Sequence, residues 1–102
     1  MAYRFEYRAS FWQDYSAALA YIAGSLKNPI AARELDEAFE REKQALLSFP
    51  TAGKPFASPP DVDTDYFALR VKNYLAFYVV VGDVVEFRRF LYSRANLHDR
   101  LQ

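Results

Sequence analysis

YFALRVKNYLAFYVVVGDVVEFRRFLYSR, from Tyr66 to Arg94, is the stretch that decides the fold. Gly82-Asp83 separates two runs of valine, and this two-residue Gly-X pattern is typical of a type II′ hairpin turn. Lys72-Asn73 gives a weaker turn signal, because Asn tolerates left-handed backbone angles whereas Lys does so poorly. The stretch therefore predicts three consecutive antiparallel strands joined by two tight turns, a β-meander.

A further strand is predicted at the start of the chain. Tyr3, Phe5 and Tyr7 alternate with charged residues, which is the period-2 pattern of a half-buried strand. We expect this strand to pair at an edge of the meander sheet or beside the final strand. In the final strand the alternation slips between Arg89 and Phe90, which predicts a β-bulge or a strand buried on both faces.

Two helices are predicted between the first strand and the meander. Ser10 and Gln13 have capping-box spacing, with Ser10 as the N-cap of the first helix, and Gly24 is the candidate for its end. Asn28-Pro29 supplies the N-cap and the first residue of the second helix. The apolar stripe of the second helix is formed by Leu35, Ala38, Phe39, Ala45, Leu46 and Phe49. Residues 50–65 contain four of the five prolines and are predicted to be a loop.

These elements predict a single α+β domain over residues 1–102: an N-terminal strand, an antiparallel helical hairpin and a three-stranded antiparallel meander. The helices are expected to pack on one face of the sheet. Hydrophobic residues make up 52% and aromatic residues 18% of the chain, so aromatic packing should dominate the core. Tyr74 and Tyr78 offer stacking surfaces for nucleic-acid bases, but core packing is favoured because no basic pattern interleaves with them.

Composition excludes several classes of function. The chain has no cysteine, so disulfides, thiol catalysis and thiolate metal sites are ruled out, and a reducing cytoplasm is the expected location. We see no signal peptide and no apolar run of about 20 residues, and expect no association with a membrane. The net charge of zero argues against broad binding to nucleic acid, so we expect no specific DNA binding by this chain alone.

Neither candidate metal site in the sequence is complete. Asp61–Asp65 matches the opening of a calcium-binding loop, but the sixth position is Tyr66 rather than Gly and the twelfth is Lys72 rather than Glu. His98 is the only histidine, so a site built from several histidines is not available. We therefore expect no metal and no cofactor.

Positive charge is concentrated in the C-terminal third of the chain. Residues 66–102 carry six Lys and Arg against three Asp and Glu, whereas residues 1–49 carry six against seven. The arginines on or just beyond the meander are Arg70, Arg88, Arg89 and Arg94. Such residues are either solvated or paired within the fold, or they contact a phosphate or carboxylate of a partner.

Three segments occur in an order and spacing shared with one protein family. Residues 28–32 (NPIAA) open the second helix, residues 46–55 (LLSFPTAGKP) match an L-x-x-F-P-x-x-G-x-P exit from it, and residues 69–78 (LRVKNYLAFY) match an L-x-V-x-N-Y-L-x-F-Y meander. In these segments the chain resembles the RelE/ParE superfamily of type II toxins, also described as plasmid stabilisation proteins. The resemblance extends over nearly the whole chain.

The resemblance implies a small bacterial toxin that a co-encoded antitoxin holds inactive by wrapping a flexible C-terminal segment around it. RelE-like members cleave messenger RNA on the ribosome, whereas ParE-like members block DNA gyrase. The ribonuclease members commonly carry Arg directly after the meander tyrosine, where this chain has Leu75. Residues 91–96 (LYSRAN) resemble the family's L-H-x-R-R-D, with Tyr92 at the histidine position and Arg94 kept. These departures favour a ParE-like protein, and they raise the chance of a weakened toxin.

Three functional alternatives stay open. The favoured one is a non-catalytic inhibitor that binds gyrase through the positively charged last strand and tail, with target-binding residues Arg88, Tyr92, Arg94 and His98. The second is an mRNA endonuclease, whose catalytic candidates are Arg70, Tyr92 and Arg94. The third is an inactive relative kept as a binding module. In all three, we expect the antitoxin to cover exposed apolar side chains on the helical hairpin near Trp12 and Tyr15.

Overall fold

The computed structural model describes residues 3–56 and 65–94. In chain order the elements are strand β1 (Arg4–Tyr7), helix α1 (Ala9–Ala20), a π-helical turn (Tyr21–Ser25), helix α2 (Pro29–Lys43), a 3₁₀ turn (Gln44–Leu47), and strands β2 (Lys54–Phe56), β3 (Tyr66–Val71), β4 (Tyr74–Val81) and β5 (Val84–Tyr92). The predicted α+β order of strand, helical hairpin and meander is confirmed. In the described part of the chain, no helix is long and apolar enough to cross a membrane.

The five strands form one mixed sheet in the order β1-β5-β4-β3-β2. β1 pairs in parallel with β5, which confirms the prediction that the first strand lies beside the last, and the other pairs are antiparallel. The prediction that residues 50–65 are entirely a loop is wrong at Lys54–Phe56, which pairs with β3. Pro55 is tolerated there because an edge strand has one side free of ladder hydrogen bonds.

Both predicted turns are present, but one uses an unexpected residue. Gly82 has a φ of 60° and Asp83 does not have a positive φ, as a type II′ turn requires. In the β3–β4 turn Lys72, rather than Asn73, takes the left-handed conformation, with a φ of 54°. The predicted bulge is also present: Phe77 faces Arg89 and Tyr78 faces Phe87, so the extra residue of β5 is Arg88.

The predicted capping box at the start of α1 is wrong. α1 begins at Ala9 with Arg8 as its N-cap, and the Ser10 hydroxyl donates to the backbone carbonyl of Arg88 at 2.7 Å. The Ser10 hydroxyl, which the sequence spacing assigned to the N-cap of α1, therefore bonds to β5 instead. The second cap is confirmed, because Asn28 Oδ1 accepts from the Ala31 N–H at 3.1 Å.

The first helix does not end at Gly24, as the sequence suggested. It continues as a π-helical turn to Ser25, and the Asn28 N–H donates to the Ile22 carbonyl at 3.0 Å where the turn closes. The left-handed residue that commonly follows a helix is Lys27, with a φ of 51°. The helical hairpin is thus closed by a lysine in a conformation that glycine adopts more easily.

The main core lies between the helices and one face of the sheet. Phe11 packs against Tyr15, Phe39, Phe87 and Phe90 with ring centroids 5.4 to 5.9 Å apart, which confirms that aromatic packing dominates. The α2 stripe is buried at Leu35, Ala38, Phe39 and Leu46. Ala45 and Phe49 were predicted to belong to it and are exposed, Phe49 by 70%. Ala45 lies in the 3₁₀ turn, which has fewer residues per turn than an α-helix, and Phe49 lies beyond the end of that turn at Leu47.

A second apolar cluster lies on the sheet face that points away from the helices. It consists of Tyr66, Ala68, Phe77, Val79 and Leu91, all buried, with Leu75 packed against them. β4 is therefore buried on both faces, as expected for a central strand that reads as a nearly continuous apolar run.

Candidate partner-binding groove

An open groove of about 960 Å³ lies between the helical hairpin and one end of the sheet. Its helical wall includes Ala18, Tyr21, Ile22, Leu26 and Leu35. The π-helical turn contains no fully buried residue, although Ile22 is partly buried and packs against the main core. Tyr21, the first residue of this turn, is 53% exposed, and Leu26, which directly follows the turn, is 56% exposed.

The sheet wall of the groove is aromatic. Tyr74 stacks on Phe90 at 5.0 Å and meets Tyr92 edge to face at 5.6 Å. Burial, together with the nearby phenols of Tyr92 and Tyr21, raises the pKa of Tyr74 above its usual value. Tyr74 therefore stays a neutral phenol, and its hydroxyl, like those of Tyr21 and Tyr92, can donate or accept a hydrogen bond.

Only two charged side chains are among the described residues that line the groove, Asp14 and Lys72. Asp14 accepts from Arg89 Nε at 2.6 Å, from Arg89 Nη2 at 3.0 Å and from the Phe90 N–H at 3.0 Å, so its charge is compensated. Lys72 is exposed and forms no ion pair with any described residue. The groove is thus an apolar and phenolic surface with one uncompensated positive charge.

The structure separates the residues predicted to bind a target. The Arg88 guanidinium pairs with Glu86 at 2.8 Å and lies 5.8 Å from the centre of the Tyr66 ring, on the face away from the helices. Tyr92 lines the groove on the helical side. Arg94 follows β5 and is exposed, without an ion-pair partner in the described part of the chain. His98 lies outside the described residues.

The three catalytic candidates are not brought together either. Arg70 is exposed in β3 and, by strand alternation, shares the face of Tyr66 and Ala68, whereas Tyr92 is on the helical side. Arg70 faces Leu75 across the ladder, and Leu75 faces Leu91. Within residues 3–56 and 65–94 no group of three or more His, Cys, Asp or Glu could hold a metal ion, and Asp61 to Thr64 of the calcium-like segment lie outside the described residues.

The two residues predicted to meet the antitoxin differ in exposure. Trp12 is 48% exposed and packs on the Tyr7 ring at 4.8 Å, outside the groove. Tyr15 is only 5% exposed, and its hydroxyl donates to Asp36 of α2. Burial and this hydrogen bond raise the pKa of Tyr15, so it stays neutral as a link between the two helices. Of the pair, only Trp12 offers an exposed surface.

Sequence reasoning missed the groove residues Tyr21, Leu26 and Lys72. By sequence alone both Tyr21 and Leu26 fit a helix that faces a core, because Tyr21 follows Ala18 by three residues and Leu26 follows Ile22 by four, so their exposure could not be read from the spacing. Tyr78, considered for base stacking, is fully buried and accepts a hydrogen bond from the Gly53 N–H, which confirms the core interpretation.

Known proteins share the fold of this chain. The chain is similar in structure to the chromosomal ParDE toxin–antitoxin system of P. aeruginosa, with 15% identity, a TM-score of 0.67 and coverage of 88% of this chain and 95% of the other. It is also similar to the archaeal RelE–RelB complex of Pyrococcus horikoshii, with 15% identity, a TM-score of 0.60 and coverage of 93% of this chain and 99% of the other. The E. coli DinJ–YafQ complex is similar with 14% identity, a TM-score of 0.53 and coverage of 94% of this chain and 98% of the other.

These three similarities show the fold, since all are below 25% identity. No curated protein sequence matches the chain significantly. The profile of the family described as the ParE toxin of the type II toxin–antitoxin system parDE matches residues 5–97. That match spans almost the whole chain, from β1 past the end of β5, and includes both walls of the groove. The chain therefore belongs to the ParE toxin family of type II toxin–antitoxin systems.

Proposed function

We propose that this toxin is a non-catalytic, cytoplasmic inhibitor of bacterial DNA gyrase, held inactive by a co-encoded antitoxin. The observation that carries the proposal is the apolar packing around Leu75. Leu75 stands where the ribonuclease pattern has arginine, and it packs against the apolar cluster of Tyr66, Ala68, Phe77, Val79 and Leu91. A hydrocarbon side chain cannot protonate a leaving group or stabilise a charged phosphorane.

The row of side chains across this sheet face supports a non-enzymatic role. Arg70, Leu75 and Leu91 are neighbours on β3, β4 and β5, so Arg70 has hydrocarbon rather than an acid or base beside it in the ladder. Glu86, the carboxylate of β5, already pairs with Arg8 and Arg88. General acid–base catalysis needs a titratable group within hydrogen-bond reach of the reacting atoms.

The proposed target surface is the end of β5 and the tail that follows it. Arg94 is an exposed arginine with no ion-pair partner among the described residues, and Tyr92 is 44% exposed at the groove rim. Both are available to a protein partner, and tyrosine and arginine are enriched at such interfaces. Arg88 and His98 stay in the proposal as secondary contacts, although Arg88 would have to share its guanidinium with Glu86.

The groove is the proposed antitoxin site. Its exposed apolar side chains, Tyr21 and Leu26, suit an amphipathic segment whose apolar face enters the groove. Because Tyr92 belongs to both surfaces, an antitoxin in the groove would cover part of the target surface. This overlap gives a direct physical reason for neutralisation.

The test follows DNA and protein synthesis by pulse-labelling in the first minutes after induction, with supercoiling by purified gyrase measured in parallel. We expect DNA synthesis to fall first and Arg94→Ala to lose most of the inhibition. Arg33→Ala is the matched control, since Arg33 is an exposed arginine on α2 without a described ion pair. Unchanged supercoiling in the presence of excess soluble toxin would sink the gyrase assignment.

The second candidate function is an mRNA endonuclease. It is favoured by one observation, that Arg70 is exposed and forms no ion pair within the described part of the chain. In that case protein synthesis falls first, and Arg70→Ala and Arg94→Ala each reduce transcript cleavage in a translating extract. If neither synthesis falls while soluble protein is present, the chain is an inactive binding module.

A further inference from the structure

We infer that Lys72 selects the antitoxin by pairing with a carboxylate on the segment that enters the groove. The inference rests on the proposed antitoxin site and names the chemistry that this site recognises: an amphipathic segment with an Asp or Glu where its apolar face meets the β3–β4 turn. The antitoxin is the one occupant considered.

The backbone at Lys72 is the first observation. Its φ of 54° lies in the left-handed region, at the first central position of a two-residue turn where glycine is the usual residue. A side chain in this conformation costs stability, because Cβ approaches the neighbouring carbonyl oxygen. The Lys72 side chain makes no hydrogen bond or ion pair with any described residue that would offset this cost.

The position of Lys72 is the second observation. Lys27 has almost the same backbone conformation, with a φ of 51°, and is also exposed, so strain alone does not mark a binding site. Lys72 lines the groove and Lys27 does not. The difference between these two lysines is their access to whatever occupies the groove.

Charge complementarity is the third observation. Asp14, the other charged residue of the groove, is held by Arg89 and the Phe90 N–H, so it neither repels an incoming carboxylate nor attracts a cation strongly. Arg70 lies two residues before Lys72, and Arg94 follows Ser93, whose N–H donates to the Asn73 carbonyl at 2.9 Å. The positive charges around the turn add to the attraction for an acidic segment.

The surrounding phenols make Lys72 an effective partner for a carboxylate. Once an apolar segment covers Tyr74 and Tyr92, water leaves the groove and the attraction between opposite charges strengthens. The hydroxyls of the two tyrosines can satisfy the second carboxylate oxygen. A segment with a lysine or a neutral residue at that point would leave Lys72 covered without a partner, which disfavours the wrong antitoxin.

The experiment measures the affinity of the full-length toxin for the purified antitoxin encoded beside its gene, at about 50 mM and about 300 mM salt. Lys72→Met keeps an unbranched stem and removes only the charge, and Lys27→Met is the matched control. We expect Lys72→Met to weaken binding about 5-fold at low salt and to reduce the salt dependence, with Lys27→Met within about 2-fold of wild type. Lys72→Glu should weaken binding further.

Stability is measured on the same proteins. Lys72→Gly and Lys27→Gly should both raise the melting temperature by about 3 °C, because glycine relieves the same strain at both positions. Only Lys72→Gly should also weaken binding of the antitoxin. This separates a role in binding from a role in the turn.

Each outcome bears on one proposal. If Lys72→Met and wild type bind the antitoxin with equal affinity at both salt concentrations, the inference is wrong. It is also wrong if Lys72→Met and Lys27→Met lose affinity equally, because the effect would then come from the overall positive charge of the protein rather than from Lys72. If Leu26→Asp leaves affinity unchanged, the antitoxin binds outside the groove and the inference falls with that site. If the wild-type chain itself does not bind the antitoxin, the proposed neutralisation fails instead.

Discussion

Replacing Gly53 with alanine should destabilise the fold, although the backbone there does not require glycine. Among the described glycines only Gly82 has a positive φ. The requirement at Gly53 is steric: its N–H donates to the Tyr78 hydroxyl at 2.9 Å, so the backbone runs directly against that ring. A Cβ on Gly53 would lie 2.3 Å from the hydroxyl oxygen and 2.9 Å from Cε1, closer than real Cβ contacts occur.

Tyr78 cannot easily move away from the added methyl group. It is fully buried, with its ring stacked on Phe67 at 5.5 Å and tilted against Phe87 at 5.7 Å. Relief must therefore come from shifting the backbone around Gly53, which breaks the hydrogen bond to Tyr78. Overpacking of this kind costs about 2 to 3 kcal/mol, a large part of the stability of a small domain.

The assay is urea unfolding followed by far-UV circular dichroism and by the fluorescence of Trp12, the only tryptophan. For a chain of this size the expected loss lowers the midpoint by about 2 M urea. Gly24→Ala is the matched control: a Cβ at Gly24 meets nothing within 4 Å, and removing a helical glycine should raise stability by about 0.5 to 1 kcal/mol. A Gly53→Ala midpoint equal to that of wild type would refute the steric argument.

Two further predictions concern buried polar contacts. Burial opposes ionisation of Glu86, but hydrogen bonding to Arg88 and the charge of Arg8 hold its pKa below the usual value. The stability that this carboxylate contributes is therefore present above its unfolded pKa and lost as the pH falls through the folded one. Glu86→Gln should accordingly lose less stability than wild type between about pH 5 and pH 3, and parallel urea midpoints would contradict this. Tyr15→Phe removes the hydrogen bond to Asp36 and should cost about 1 kcal/mol in urea unfolding, because Asp36 is exposed and can be hydrated instead. Antitoxin affinity should stay within about 2-fold, since Tyr15 is buried; a larger loss would mean that the partner reaches it.

The parts of the fold that local sequence could predict are those whose signals act over a few residues. Asn28-Pro29 opens α2 as expected, and Gly82-Asp83 makes the predicted turn. The wrong predictions share a different cause. Ser10 was assigned to a helix cap by spacing, but its hydroxyl bonds the carbonyl of Arg88, which is distant in sequence. β2 has only three residues and a proline, so only its pairing with β3 makes it a strand.

The groove could not be predicted because its features depend on departures from regular structure or on the pairing of strands. The exposed Tyr21 and Leu26 lie in and directly after the π-helical turn, and nothing in the local sequence indicates a change from α to π geometry. Lys72 takes the left-handed position although Asn73 is the better candidate by propensity. Tyr74 and Tyr92 come into contact only because β4 pairs with β5.

The motif residues that indicate the family mainly stabilise the fold. For this reason they do not identify the target. Gly53 and Tyr78 contact each other, and Asn28 caps a helix. Proteins with different targets can share these residues because all of them need the same scaffold. Choice of target and partner must then come from side chains that the fold leaves free to vary. Lys72 is exposed at the edge of the groove, so we expect variants at this residue to alter partner binding without unfolding the protein.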